Sequence, residues 1–216
     1  MRARHNLSFM MSPRSSAQFA ELDVENLNHD GRGVARVDGK AVFVAGGLPG
    51  ERAVVRYTKR HRNYDEVKVE ELLSRSSDRI EARCPHFGGC GGCAMQHLPA
   101  DKQIEAKEKF LAENFERIGK VRPDRWLTAL TDQAWGYRRK GRLSVKWVEK
   151  KGKALVGFRE DNPRFVADLS ECHTLLPEVG LRISALSELI GSMQARSDIA
   201  QIEISAGDDV VALVFR

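Results

Sequence analysis

Three of the four cysteines crowd into one short loop, at Cys84, Cys90 and Cys93, and the fourth follows far downstream at Cys172. The loop reads Cys84-Pro85-His86-Phe87-Gly88-Gly89-Cys90-Gly91-Gly92-Cys93. Its glycines let the backbone fold tightly enough for several thiolates to face one point, and thiolates grouped in that way are metal ligands. Zinc ribbons usually bring two short-spaced cysteine pairs, whereas three clustered cysteines and one distant partner are a common way to hold an iron-sulfur cubane, one thiolate per iron. The spacing favours a 4Fe-4S cluster on Cys84, Cys90, Cys93 and Cys172, with zinc as the alternative and free thiols or disulfides behind both. His86 and His97 flank the loop, where a histidine more often packs or orients a ligand than serves as a fifth one.

A second group of residues is defined by charge. The 216 residues are 42% hydrophobic and 30% charged, with a net charge of +5, which describes a soluble protein of one large or two small domains. The basic residues are unevenly placed. Arg52, Arg56, Lys59, Arg60 and Arg62 follow Glu51 with no further acid before Tyr64, and Arg138, Arg139, Lys140, Arg142 and Lys146 open a second stretch. Such stretches are polyanion footprints in sum, although any single lysine or arginine in them is as well explained by a solvated strand edge. Arg52, Lys59, Arg60 and Arg62 are candidate phosphate contacts, and Arg138, Arg139 and Arg142 candidate contacts of greater specificity to such a polyanion. Alternation along a strand puts residues 138, 140 and 142 on one face and 139 on the other. Phe43 and Tyr64 could stack on unpaired bases, with core packing the commoner use of such rings.

The elements that must carry these groups change character along the chain. Residues 1–16, rich in Arg and Ser and lacking acids, read as a disordered tail, and no signal peptide is recognisable there, so a reducing, cytoplasmic setting is expected. No apolar run is long enough to span a bilayer. Five strand-like segments follow at 19–27, 33–37, 40–44, 51–57 and 65–72, with Asp38-Gly39 as a two-residue hairpin turn. So many short strands in so little chain suggest a small closed barrel of OB type. After the cysteine loop the period becomes helical. Ile104, Phe110, Leu111, Phe115 and Ile118 form a stripe across 101–119, read as a core-facing side. Further strands are expected at 143–148, 154–159, 164–169, 201–205 and 210–215, with a helix across 178–193. The fold class is mainly β with an α+β second part, whose sheet carries Cys172 back to the loop.

The same residues carry a resemblance. His29-Asp30-Gly31-Arg32-Gly33-Val34-Ala35-Arg36, Val42-Phe43-Val44 and Leu48-Pro49-Gly50-Glu51 resemble the TRAM domain of the bacterial RNA uridine-C5 methyltransferases. Cys84-Pro85-His86-Phe87-Gly88, Cys90-Gly91-Gly92-Cys93, Gln96-His97, Trp135 to Leu143, Gly157-Phe158-Arg159 and Cys172 are similar to that family's iron-sulfur and central segments, in order. The match runs from about Ala17 onward and is nearest to the large-subunit methyltransferase D type, which modifies 23S ribosomal RNA. It departs at Ala82-Arg83 and at His173, where the family often has proline, without loss of a ligand.

The resemblance implies a TRAM barrel over 17–76, an iron-sulfur loop over 77–98, a central α+β domain over 99–216, and an S-adenosylmethionine-binding α/β methyltransferase domain that is absent from these residues. It implies a cytoplasmic, monomeric enzyme acting on 23S ribosomal RNA, with a 4Fe-4S cluster and S-adenosylmethionine as cofactors. Methylating the weakly nucleophilic C5 of uracil needs a thiolate that adds at C6, a methyl donor and a base for the C5 proton. With all four cysteines committed to a cluster no thiol remains, and no glycine-rich strand-to-helix turn for a nucleotide is present. The catalytic residues are therefore expected beyond Arg216, and this chain alone is expected to be inactive. A stand-alone RNA-binding module with a structural metal site, and a redox-sensing iron-sulfur protein, are the competing readings.

Overall fold

A computed structural model describes residues 18–216; the tail expected over 1–16 lies outside them. The chain forms two units, one holding the described residues up to Asn26 together with Gly33–Arg75, the other Leu27–Arg32 and Ser76–Arg216.

The first unit is built from β1 (Phe19–Asp23), β3 (Gly33–Val37), β4 (Lys40–Ala45), β5 (Arg52–Arg60) and β6 (Tyr64–Ser74); the two-residue β2 (Asn26–Leu27) has only its first residue in this unit. The strand order is β1-β5-β6-β4-β3-β2, antiparallel between β1 and β5, β5 and β6, and β3 and β4, but parallel between β4 and β6. Just past β1 the chain turns from one end of that order to the other, the Val24 N–H donating to Glu51 O beside β5 and the Glu25 N–H to Val34 O of β3, both at 2.8 Å, so the sheet curls back on itself. Alternate residues Val42 and Val44, Ala53 and Val55 meet Leu22, Val24, Ala35 and Val67 inside the curl, as the period of two requires. The β3–β4 turn holds Asp38 at φ 50° and Gly39 at φ 78°, the pair of left-handed residues that a primed hairpin turn demands. The Leu48-Pro49-Gly50-Glu51 segment has a structural use: the buried Glu51 carboxylate accepts the Leu48 N–H at 2.8 Å.

The second unit centres on an antiparallel sheet in the order β10-β9-β7-β8, formed by β7 (Lys140–Val148), β8 (Lys153–Gly157), β9 (Gln201–Ala206) and β10 (Val211–Phe215). Helix α3 (Ile183–Ser192) lays Ile183, Leu186 and Ile190 onto Leu143, Val145, Val156, Ile202 and Ile204. Cys172 belongs to this core.

Three expected elements differ. The helix across 178–193 is divided into α2 (Pro177–Gly180) and α3, and at the break the Gly180 carbonyl accepts the Cys172 N–H at 2.8 Å instead of continuing the helical ladder. The strand expected at 164–169 is an extended segment, joined to β8 through Ala167 N–H to Phe158 O, Leu169 N–H to Val156 O and one bridge between Arg159 and Val166. Pro163 just before it supplies no N–H to start a ladder. Helix α1 (Ala100–Asn114), prolonged by a π-helical turn Phe115–Gly119, buries no residue. Its apolar stripe is not a core face, since Leu111 is 45% and Ile118 78% exposed.

Candidate functional site

The cysteine loop is fixed by its contacts with the sheet. The Gly91 N–H donates to the Arg159 carbonyl at 2.9 Å, and a β-carbon at Gly91 would stand 2.6 Å from that oxygen, so only glycine lets the loop lie this close to the chain leaving β8. The Cys84 N–H donates to Gln96 Oε1 at 3.1 Å, and the Ser170 N–H donates to His86 Nε2 at 3.0 Å, tying the loop to itself and to the segment before Cys172. Cys84, Cys90, Cys93 and Cys172 all line one cavity, together with His86, Phe87, Gln96, Phe158, Leu169, Glu171 and His173. All four are free thiols; the three of the loop are half-buried and Cys172 is buried.

Several donors face the sulfurs. The Gly92 N–H donates to Cys90 Sγ at 3.4 Å, and Thr174 Oγ1 lies 3.2 Å from Cys172 Sγ. Burial pushes the Cys84 and Cys90 thiols above their ordinary pKa, against the lowering effect of backbone N–H groups at His86 and Gly92, and the neighbouring thiols push the same way as burial. A ligand that deprotonates them must supply the compensating positive charge. Among the described residues no group of three or more His, Cys, Asp or Glu side chains closes on a point as a single metal ion would require. Tetrahedral zinc, with Zn–S near 2.3 Å, needs its sulfurs roughly 3.8 Å apart, whereas a cubane takes each thiolate at a different iron and tolerates a wider spread. Four thiols around one cavity suit a cubane, with one thiolate to each iron.

The basic candidates divide by environment. Arg52 reaches Glu21 at 3.2 Å on the exposed side of β5. At the β5–β6 hairpin, Lys59 and Arg62 are exposed, the Arg60 guanidinium lies 3.6 Å over the Tyr57 ring, and His61 stacks on Tyr64 with centroids 4.2 Å apart. Phe43 meets Tyr64 edge-on at 5.4 Å. In the second unit Arg138 sits over Phe158 at 5.7 Å, Arg139 bonds Gly207 O and Asp208, and Arg142 faces Glu203 at 3.2 Å across the β7–β9 pair. Arg138 and Arg139 precede β7, so strand alternation does not govern them.

Comparison with known proteins bears directly on this arrangement. Residues 17–66 match the TRAM domain model. The chain is 53% identical over 199 residues to a Xylella fastidiosa protein named 23S rRNA (uracil(1939)-C(5))-methyltransferase RlmD, covering 91% of this chain and 45% of that protein. Proteins of the same name from Stenotrophomonas maltophilia and Xanthomonas campestris are 52% and 54% identical over 199 and 196 residues, covering 91% and 89% of this chain and 45% and 44% of theirs. Over these residues the chain is similar to proteins named as 23S rRNA uracil-C5 methyltransferases. It spans just under half of their length. A solved Pyrococcus abyssi tRNA (uracil-54, C5)-methyltransferase, in complex with S-adenosyl-L-homocysteine, shares the fold at a TM-score of 0.63 and 20% identity, over 90% of this chain and 45% of that one.

Within the TRAM domain, sequence reading missed Tyr57 and His61, whose rings take up the side chains of Arg60 and Tyr64. The alternation of basic and aromatic residues from Tyr57 to Tyr64 was the available signal. Thr174 and Glu171 were missed as well, although both lie within two residues of Cys172: Thr174 Oγ1 is 3.2 Å from the Cys172 sulfur and Glu171 lines the cavity, and a residue's type says nothing of which way it faces in an irregular segment.

Proposed function

We propose that this chain is the RNA-recognition and iron-sulfur portion of an S-adenosylmethionine-dependent methyltransferase that forms 5-methyluridine in 23S ribosomal RNA, acting as a monomer in the cytoplasm. What supports the reading is the lining of one cavity by Cys84, Cys90, Cys93 and Cys172 in a chain so similar to proteins named for that reaction.

In this reading the four cysteines hold a 4Fe-4S cluster, which when bound supplies a covalent tie between the loop and the sheet. The tie joins segments far apart in sequence, and closing a long loop removes conformational freedom from the unfolded chain. Lys59, Arg60 and Arg62 contact phosphates, and the rings of Tyr57, His61 and Tyr64 offer faces beside them for unpaired bases. Arg52 adds a phosphate contact once released from Glu21, and Arg138, Arg139 and Arg142 line a second RNA contact. Each of those three must exchange a ring or an acceptor for RNA. Because all four thiols are spent on the cluster, the reading assigns the nucleophile, the C5 base and the methyl-donor site to polypeptide outside residues 1–216.

The test is elemental. Protein prepared without oxygen is expected to be brown, with about four irons and four sulfides per chain, and a Ser substitution at any of Cys84, Cys90, Cys93 or Cys172 is expected to abolish the full complement. One zinc with no labile sulfide would replace the cluster by a structural metal site.

A further inference from the structure

One buried hydroxyl of the second unit is committed to sulfur. Thr174 Oγ1 lies 3.2 Å from Cys172 Sγ, both residues are buried, and among the described residues that sulfur is the partner the hydroxyl has. The Thr174 backbone is held independently, its carbonyl accepting the Arg138 N–H at 2.9 Å, so the side chain is aimed by the main chain and not by the sulfur. Either group could donate while Cys172 is a thiol. Metal ligation removes the sulfur's proton, and the hydroxyl is then the only one of the pair with a hydrogen to give.

We propose that Thr174 is a tuning residue of the metal centre, its hydroxyl donating to the Cys172 thiolate and raising the centre's reduction potential; the inference rests on the cluster reading above. A donor aimed at a ligating sulfur stabilises negative charge there, and the reduced cluster carries more of it than the oxidised one. Thr174 therefore favours the reduced form and slows oxidation. Cys90 receives a comparable donor from the Gly92 backbone, which no side-chain substitution removes. Among the described residues, Thr174 is the side-chain hydroxyl bonded to a ligand sulfur, which makes its contribution separable.

The experiment compares wild-type protein, Thr174→Val, Thr174→Ala and Thr174→Ser after anaerobic cluster loading, reading iron and sulfide content, the midpoint of a potentiometric titration followed by electron paramagnetic resonance, and the rate at which visible absorption bleaches in air. Valine keeps the shape without the hydroxyl, and alanine does so without the branched bulk should valine disturb loading. The expected result is equal iron content in all four proteins, a more negative midpoint and several-fold faster bleaching for valine and alanine, and wild-type behaviour for serine. A fully loaded valine or alanine variant with the wild-type midpoint and bleaching rate overturns the tuning role while leaving the cluster reading intact. Wild-type protein that takes up no iron and sulfide overturns the cluster reading, and this inference with it.

Discussion

Glu51 is a carboxylate with 1% exposure, and it is there because the turn before β5 leaves the Leu48 N–H pointing inward. Removing the acceptor leaves that donor desolvated. Glu51→Ala is expected to lower stability by about 1–3 kcal/mol in chemical denaturation, and a loss within experimental error would show the turn to be held by its backbone bonds alone. The motif containing Glu51 was visible in the sequence, but its use was not: nothing in Leu48-Pro49-Gly50-Glu51 says that the acid turns back on its own segment. Arg142 was illegible in a different way. Its partner Glu203 is brought opposite by the β7–β9 register, a pairing of segments that no local pattern specifies.

At the level of elements, legibility followed locality. The strand at 33–37 agrees with β3 to the residue, and Asp38-Gly39 adopts the turn its composition demands, because both are decided by neighbours in the chain. The unbroken helix across 178–193 failed because the Cys172 backbone takes the Gly180 carbonyl, and the apolar stripe of α1 failed because periodicity records a face without saying what lies against it. The β5–β6 hairpin lends itself to a quantitative test. Each phosphate contact contributes close to one unit to the slope of log affinity against log salt, so Arg60→Glu with Arg62→Glu should flatten that slope by about two units on a ribosomal RNA fragment. Arg142→Glu should change it by less than one, since this guanidinium is paired with Glu203 at 3.2 Å, a closer approach than the 3.9 Å between Arg60 and Asp65. Equal slopes for wild type and the hairpin variant would remove these residues from the RNA contact.

The whole molecule consists of two separately cored units, and the four thiols all belong to the second. With those thiols assigned to a cluster, incubation with S-adenosylmethionine and a uridine-containing ribosomal RNA fragment is expected to give RNA binding but no 5-methyluridine, measured by nucleoside mass spectrometry. Product formed by residues 1–216 would require a ligand cysteine to serve as nucleophile and would undo the assignment. The four cysteines also impose an order on biosynthesis. Cys172 leaves the ribosome about 80 residues after Cys93, which at 5–20 residues per second is a delay of roughly 4–16 s. During that interval a nascent chain offers three thiols and no fourth, and once the sheet and α2 have formed the fourth is in the core with its backbone tied to Gly180. On the cluster reading, a nascent chain that ends before Cys172 can offer at most three of the four ligands, so a complete cluster has to be assembled after that residue is made.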